Sequence, residues 1–174
     1  YKVPITKISI NNFRCFKNLE LSLSPGINFF FGSNGSGKTS ILESVFIFSS
    51  GKSFKSSNLT SLINYDNDKF TLKGFDNKKG YIVEIEKSKN KTISISLNNN
   101  KTNTNKLVKE FPCTPIHKNT FSFANASPDF RRKLVDRSIF IAEDNFSKAW
   151  FSFYRSLRQR NFLLKNNRIS DIYS

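Results

Sequence analysis

The segment GSNGSGKT, at residues 32–39, has the residue types and spacing that most clearly indicate a chemical function. Gly32 is followed, after four residues, by Gly37, Lys38 and Thr39, which is the spacing of a phosphate-binding P-loop. Small residues let consecutive backbone N–H groups turn towards one anion, and the N-terminus of a following helix adds partial positive charge. In such loops the lysine contacts the β- and γ-phosphates and the hydroxyl is a ligand of Mg²⁺. The spacing therefore predicts that Lys38 and Thr39 bind the phosphates and the metal of a nucleotide.

The flanking residues predict the strand and the helix that position such a loop. The apolar run INFF, at residues 27–30, predicts a strand that leads into the loop. After the loop, Ile41, Leu42, Val45 and Phe46 predict one apolar face of a helix. A glycine-rich loop that matches the spacing by chance is the alternative, and these two flanking elements argue against it.

Two further strands are predicted before the loop. Residues 2–10 alternate apolar and polar side chains, as a half-buried strand does, and a similar pattern begins at Phe16. The pair Asn11–Asn12 predicts the turn between them, and Pro25–Gly26 predicts the end of the second strand.

The sequence after the predicted helix indicates an antiparallel meander followed by helices. Three alternating segments separated by polar turns predict strands within residues 69–97. From Ser127 onwards the pattern is helical, and Pro128 suits a first helical turn. An apolar stripe in this region predicts core packing, and it consists of Phe146, Trp150, Phe153 and Leu157. We predict an α/β P-loop lobe over residues 1–126 and the start of a helical lobe over residues 127–174.

Composition limits the remaining possibilities. The chain has 174 residues, of which 37% are hydrophobic, so it is large enough for a folded core. No apolar run approaches the roughly 20 residues of a membrane span, and no signal peptide is visible, so we expect a soluble, cytoplasmic protein without membrane contact. Two cysteines, Cys15 and Cys113, and the single His117 indicate neither a disulfide framework nor a zinc site.

The positive charge is concentrated in a way that suggests a polyanionic partner. The formal net charge is +15, but abundant lysine together with abundant asparagine and phenylalanine fits A/T-rich codon usage and is weak evidence. Arginine is more informative, because only one of the eight arginines precedes residue 131. This asymmetry indicates a phosphate-contacting face on the helical segment, on which Arg155 and Arg158 are candidate DNA-binding residues. The alternative is a solvated helix with internal ion pairs.

Three sequence blocks together resemble the RecF family of ATPases, which is related to Rad-type and structural-maintenance-of-chromosomes (SMC) ATPases. The first block is ISINNFRCFKNLELSLSPGINFFFGSNGSGKTSILESV, in which a strand, an Asn-Phe-Arg turn and the P-loop share one pocket in the family. The second is SGKSF, at residues 50–54. The third comprises SPDFRRKLVDRSIF and FSFYRSLRQRNFLLK, which are similar to a paired-arginine segment and the helix after it.

The resemblance implies an ABC-type ATPase head without a long coiled coil. In this family, dimers form around two ATP molecules and bind double-stranded or gapped DNA. The family assists RecA loading with RecO and RecR, in DNA replication, DNA repair, recombination and the SOS response. ATP and Mg²⁺ are the implied cofactors, and an ATP-dependent homodimer of the full-length protein is the implied assembly.

The family's functional residues carry over to positions that match its motifs. Arg14 lies where the family's Phe-Arg arginine approaches the nucleotide. Arg131 and Arg132 match its paired arginines, for which DNA contact and an internal structural role both remain open, and Asp136 is expected to be a helix-stabilising partner. The predicted ATP-binding residues are Arg14, Gly32, Ser33, Asn34, Gly35, Ser36, Gly37, Lys38 and Thr39.

The sequence departs from the family pattern at several points. Ser127 replaces a usual glycine, and Thr114 stands where a glutamine near the γ-phosphate is expected. After residue 54 there is neither an ABC signature nor a strand ending in the paired acids of a Walker B motif. Because hydrolysis needs a carboxylate near Mg²⁺ and added transition-state stabilisation, we predict no catalytic residue and no ATP turnover above background by this chain alone.

Three functional classes follow from these observations. The first is a RecF-type ATP-dependent DNA-binding protein, and the second is the ATPase head of another SMC-like chromosome or nuclease complex. The second class predicts a long heptad coil soon after the P-loop domain, and none is present before Ser174. The third class is a non-hydrolysing ATP-binding relic, which the substitutions above keep open.

Overall fold

The computed structural model describes residues 5–116, 127–143 and 145–165. The chain divides into two units, residues 1–117 and 118–174. The boundary predicted after residue 126 adjoins residues 117–126, which lie outside the described part, so it remains a prediction.

The first unit contains a six-stranded antiparallel sheet with the strand order β2-β1-β3-β4-β5-β6. Its first two strands form one hairpin, and β1 also pairs with β3, so the N-terminal strands and the meander share one sheet, as predicted. The strands are β1 (Lys7–Phe13), β2 (Phe16–Ser22), β3 (Lys69–Asp76), β4 (Tyr81–Ser88), β5 (Ser94–Leu97) and β6 (Asn100–Lys101).

Alternating side chains of the meander build the core of this unit. Phe70 and Leu72 of β3 are fully buried, as are Val83 and Ile85 of β4. These residues stand at every second position because successive strand side chains point to opposite faces. The period-two pattern in the sequence therefore predicted both the strands and their buried face.

Helix α1 (Lys38–Ser50) packs against the buried face of the sheet. Phe48 of α1 is fully buried and lies so close to Gly74 of β3 that a Cβ atom there would meet its ring at 3.4 Å. The helix ends at Gly51, whose left-handed backbone (φ 62°) suits glycine, and the Gly51 N–H donates to the Ile47 carbonyl. A short 3-10 turn (Leu59–Leu62) and helix α2 (Thr104–Glu110), which the sequence did not predict, complete the unit.

The predicted apolar face of α1 is confirmed at Ile41 and Val45, which belong to or pack against the core, but it is wrong at Leu42. Leu42 is 51% exposed, whereas Glu43 and Ser44 are buried beside Ile41 and Ile47. The buried side of the helix is therefore partly polar, because Glu43 has charged and hydroxyl partners inside the unit that sequence periodicity cannot reveal.

The turn predicted at Asn11–Asn12 was also wrong. Both asparagines belong to β1, and the hairpin turns two residues later, at Arg14 and Cys15. The strand continues because Phe13 is fully buried, with its ring edge-on to that of Phe70 at 5.2 Å. Burial of this aromatic ring outweighs the turn preference of asparagine.

The strand predicted over INFF is not formed. Residues 23–31 have no strand assignment, and Ile27, Phe29 and Phe31 are 78%, 83% and 94% exposed. A strand is defined by a hydrogen-bonded neighbour, and residues 27–30 are not among the strand residues that pair in this sheet. The apolar run therefore leads into the P-loop as an irregular segment.

The second unit consists of helices α3 (Pro128–Ala142) and α4 (Phe146–Lys165) in its described part. Ser127 caps α3, because its hydroxyl accepts a hydrogen bond from the Phe130 N–H at 3.3 Å. Asp136 of α3 accepts a hydrogen bond from Trp150 Nε1 of α4 at 2.9 Å, which supports the predicted helix-stabilising role.

The core stripe predicted on α4 is wrong within these residues. Phe153 is 59% exposed, and Phe146, Trp150 and Leu157 are only half-buried. Neither α3 nor α4 has a buried residue among those described, so the stripe is not enclosed as a core within this part of the chain. Within the described ranges, no helix is both long enough and apolar enough to cross a membrane.

Candidate nucleotide-binding site

The P-loop leads directly into α1, which begins at Lys38 as the sequence predicted. Gly37 precedes the helix with a left-handed backbone (φ 91°, ψ 5°) that L side chains rarely adopt. The Lys38 ammonium donates hydrogen bonds to the carbonyls of Gly32 at 2.9 Å and Ser33 at 2.7 Å. The lysine therefore lies across the loop at the positive end of the helix.

The hairpin between β1 and β2 packs against this loop. A Cβ atom on Gly37 would overlap the Phe16 ring and would lie 2.9 Å from Cys15 Sγ. A side chain at position 37 would fit only if the Phe16 ring and the Cys15 thiol moved away. The sequence motif and the neighbouring hairpin thus require glycine at position 37 for two separate reasons, backbone conformation and space.

A cleft of about 450 Å³ opens beside the loop and carries a strong positive charge. Three basic side chains, Arg14, Lys38 and Lys55, line it, and none of its lining residues in the described part of the chain has a carboxylate. A concave site with three cations and a helix N-terminus suits a polyanion such as a triphosphate. The lining residues are Arg14, Cys15, Asn34, Gly35, Gly37, Lys38, Thr39, Ser40 and Lys55.

The predicted ATP-binding residues are divided between this cleft and its neighbour. Arg14, Lys38 and Thr39 are in the main cleft, together with Asn34, Gly35 and Gly37. Lys38 also lines a second depression of about 360 Å³, with the remaining predicted residues Gly32, Ser33 and Ser36. All nine predicted residues therefore lie around the same loop, with Lys38 common to both depressions.

Arg14 reaches the cleft with its guanidinium already bound to a buried carboxylate. Its Nε and Nη2 atoms donate to Glu43 Oε2 and Oε1, each at 3.0 Å. The Ser53 hydroxyl donates to the same Oε1 atom. The Arg14 side chain is 29% exposed and that of Glu43 only 1%, so the pair extends from the cleft into the interior.

Sequence reasoning missed Glu43, Ser53 and Lys55 as parts of this site. The SGKSF block, at residues 50–54, pointed to the loop that contains Ser53, but not to its bond with Glu43. Nothing in the local pattern indicated Lys55. The one available signal was Glu43, a carboxylate about one turn into the helix after the P-loop. An ionised group on a helix face that packs against a sheet requires a partner, which would have pointed to a nearby cation.

The donor set in the cleft fits Mg²⁺ only as a metal that arrives with a nucleotide. Thr39 lies at the cleft with an exposed side chain and offers one hydroxyl oxygen, and the cleft has no carboxylate among the residues that the structure describes. Mg²⁺ commonly keeps several waters and binds through phosphate oxygens with few protein ligands. One hydroxyl ligand beside a triphosphate is consistent with that chemistry.

The four arginines predicted to bind DNA lie on the second unit and are exposed. On α3, Arg132 forms an ion pair with Asp129 at 3.0 Å, one turn earlier on the same helix. On α4, Arg155 and Arg158 line a shallow depression of about 320 Å³. The aromatic residues in that depression are Phe151 and Tyr154, so charge and stacking surface occur together there.

Comparison with known proteins identifies the family. A family model described as an AAA domain matches residues 7–172. The chain belongs to the AAA-domain family. It is also 35% identical over 167 residues to the DNA replication and repair protein RecF of Aliivibrio fischeri (strain MJ11), covering 94% of this chain and 46% of the relative. The resemblance to RecF predicted from the three sequence blocks is therefore confirmed.

Solved structures confirm the fold. A structure of the recombination mediator protein RecF-ATP in the RecFOR pathway superposes with a TM-score of 0.79 at 26% identity, covering 95% of this chain and 46% of that one. An SMC ATPase structure superposes with a TM-score of 0.60 at 20% identity, covering 76% and 98% of the two chains, and shares the fold alone. The fold is thus that of an ABC-type ATPase head, and this AAA-domain chain spans about half the length of the RecF proteins that it matches.

Proposed function

We propose that this chain is the nucleotide-binding part of a RecF-type DNA repair and replication ATPase, with ATP as the ligand of the cleft beside α1. The observation that carries the proposal is the position of Lys38 at the start of α1, between the loop carbonyls and two further cations, Arg14 and Lys55. The RecF-ATP structure, with the same fold at 26% identity, supports ATP as the nucleotide.

The chemistry proposed for this chain is binding and orientation of the triphosphate. The amides of the loop and of the first turn of α1 donate to phosphate oxygens, while Lys38 neutralises phosphate charge. Thr39 would hold Mg²⁺, which supplies charge neutralisation between phosphate oxygens when it is bound. Since the described residues place no carboxylate in the cleft, we expect no turnover by this chain alone.

DNA binding is the second part of the proposal. We assign it to the exposed arginines of α3 and α4, namely Arg131, Arg132, Arg155 and Arg158. Because this helical region contains no recognisable groove-reading motif, we expect its arginines to contact backbone phosphates without reading bases, so double-stranded or gapped DNA is the proposed partner. The curated relative is a DNA replication and repair protein, which supports this part.

The assembly and pathway are proposed from the same kinship. The RecFOR pathway named for the solved RecF-ATP structure supports RecO and RecR as partners of the full-length protein. An ATP-dependent homodimer, action in RecA loading, recombination and the SOS response, and a cytoplasmic location remain predictions from the resemblance. The SMC-like alternative shares the fold with this chain, but its solved representative is only 20% identical, against 35% for RecF.

Titration with Mg-ATP tests the proposed ligand. Replacing Lys38 with Ala removes one charge-assisted contact, and we expect ATP affinity to fall by about tenfold to a hundredfold. Lys101→Ala is the matched control, since Lys101 is exposed on β6 and absent from the cleft lining. Equal affinity of the Lys38→Ala, Lys101→Ala and unmodified chains would contradict the proposal.

A further inference from the structure

Glu43 is a charged residue at a buried position. An apolar residue there would avoid the free-energy cost of removing a charge from water. It is 1% exposed in α1, while its neighbour Leu42 is 51% exposed. The helix therefore turns a carboxylate inward and a leucine outward, against the usual order of burial. Replacing a buried ion pair by apolar residues is often neutral or stabilising, so stability alone is a weak reason for this arrangement.

Three donors converge on the Glu43 carboxylate. Arg14 binds it with two atoms of its planar fork, Nε and Nη2, at 3.0 Å each. Ser53 donates its hydroxyl hydrogen to Oε1. A guanidinium has five N–H donors, and this fork uses one on Nε and one on Nη2. The other three N–H groups are on the same guanidinium of Arg14, whose side chain lines the cleft.

The backbone of Arg14 is fixed independently of its side chain. Its φ of 55° places it in the left-handed region at the tip of the β1–β2 hairpin. The Arg14 N–H donates to the Leu62 carbonyl at 2.7 Å, and its own carbonyl accepts from Asn64 Nδ2 at 2.8 Å. With the main chain held on one side and Glu43 holding the guanidinium on the other, Arg14 has little freedom to leave the cleft.

Ser53 connects the same carboxylate to a second cation of the cleft. The Ser53 oxygen accepts hydrogen bonds from the backbone N–H groups of Lys55 and Ser56, both at 2.9 Å. Its hydroxyl hydrogen is directed to Glu43. Glu43 therefore holds Arg14 directly and the loop that carries Lys55 through Ser53.

We propose that Glu43 and Ser53 are positioning residues of the nucleotide site, which hold the Arg14 guanidinium and the Lys55 loop at the cleft so that both cations meet the bound polyphosphate. This inference rests on the proposed function of the cleft as an ATP site. Neither residue contacts the phosphates itself, and both act through the cations that they orient. Such preorganisation raises affinity because fewer side-chain rotamers must be fixed when the ligand binds.

A double-mutant cycle separates positioning from a purely structural role. Glu43→Gln in the 174-residue chain should weaken Mg-ATP binding by about five- to tenfold, because it removes the charge that holds Arg14. In an Arg14→Ala background the same substitution should change affinity by less than about twofold, because the glutamine amide oxygen still accepts from the Ser53 hydroxyl and keeps the Lys55 loop in place. Glu86→Gln is the matched control, since Glu86 pairs with Lys69 on the exposed part of the sheet and should leave affinity unchanged.

Substitutions of Ser53 keep the test informative if the Glu43 or Arg14 variants do not fold. Ser53→Ala should weaken ATP binding by about two- to fivefold. Ser53→Thr keeps the hydroxyl and should bind ATP like the unmodified chain. Thermal unfolding of each variant is measured in parallel, so that affinity is compared only among folded chains.

The possible results distinguish this inference from the proposed function. If Lys38→Ala weakens ATP binding as expected while Glu43→Gln and Ser53→Ala bind ATP like the unmodified chain, the positioning role is wrong and the ATP site stands. An undiminished effect of Glu43→Gln in the Arg14→Ala background would also overturn the role. If the unmodified chain binds no ATP, the proposed function itself fails.

Discussion

The Phe16 ring of the β1–β2 hairpin lies directly against the backbone of Gly37 in the P-loop. A Cβ atom added at Gly37 would overlap Phe16 Cζ and come within 2.9 Å of Phe16 Cε2. The hairpin thus packs against the residue that immediately precedes α1. Contact between these two residues connects the sheet to the phosphate-binding loop.

Gly37→Ala should therefore impair both the fold and the site. The new methyl group clashes with Phe16, and the left-handed backbone is strained for alanine, so the free energy of unfolding should fall by about 2–4 kcal/mol. ATP affinity should fall by at least about tenfold, because the loop amides can no longer keep their positions. Denaturant titration and ATP titration measure the two effects.

Gly80→Ala is the control for Gly37→Ala. Gly80 also has a left-handed backbone (φ 64°), but nothing lies within 4 Å of the added Cβ. The Gly80→Ala variant should therefore have a free energy of unfolding lower by only the strain of about 1–2 kcal/mol, and its ATP affinity should be unchanged. Equal losses of stability in the two variants would show that contact with Phe16 contributes nothing.

Thr39→Ala should affect the metal dependence of ATP binding more than binding without metal. The variant lacks the one protein oxygen proposed for Mg²⁺, while Lys38 and the loop amides are unchanged. ATP titrations with Mg²⁺ and with a chelator should therefore give a smaller difference for Thr39→Ala than for the unmodified chain. Thr39→Ser, which keeps the hydroxyl, is the control. A full Mg²⁺ effect in Thr39→Ala would rule out this ligand.

Much of this site was predictable because its determinants are local in sequence. The spacing of Gly32, Gly37 and Lys38 predicted the loop and the start of α1, since backbone conformation and helix polarity depend on neighbouring residues. The meander was predictable because side-chain alternation directly reflects burial on one face of a sheet. These features need no knowledge of distant contacts.

The missed features all depend on partners that are distant in sequence. Glu43 is buried because Arg14, 29 positions earlier, binds its carboxylate, and no local period shows this. The Asn11–Asn12 turn failed for the same reason, because the core contact of Phe13 with Phe70 continues the strand. The run at residues 27–30 was apolar enough for a strand but has no hydrogen-bonded neighbour in this sheet.

Replacing Arg155 and Arg158 of α4 with Ala should weaken binding to duplex DNA at every sequence. If both residues contact phosphates, the slope of log affinity against log salt concentration should decrease by about two. Anisotropy titrations over a range of salt concentrations measure this slope. The control is Lys101→Ala/Lys106→Ala, two exposed lysines of the first unit that should leave the slope unchanged. Salt-insensitive or strongly sequence-specific binding would contradict phosphate contact.

Trp150→Phe should loosen the contact between α3 and α4. The substitution keeps an aromatic ring but removes the Nε1 group that donates to Asp136. Loss of this hydrogen bond should lower the free energy of unfolding by about 1–2 kcal/mol. Denaturant unfolding followed by circular dichroism measures the change. Phe153→Leu, at a 59% exposed position of the same helix, is the control and should have little effect. Equal stability of Trp150→Phe and the unmodified chain would show that this bond is not stabilising.

Nuclear magnetic resonance titration of the isotope-labelled chain with Mg-ATP tests the central claim most directly, because it reports on each backbone amide. If the cleft beside α1 holds the triphosphate, the largest shifts should fall on the amides of Gly35, Gly37 and Lys38, which adjoin the proposed phosphates. The amides of β5 should move little, and the loop shifts in Lys38→Ala should need an ATP concentration higher by about tenfold to a hundredfold. Unchanged loop amides at saturating ATP, or shifts confined to residues outside the loop, would contradict the account.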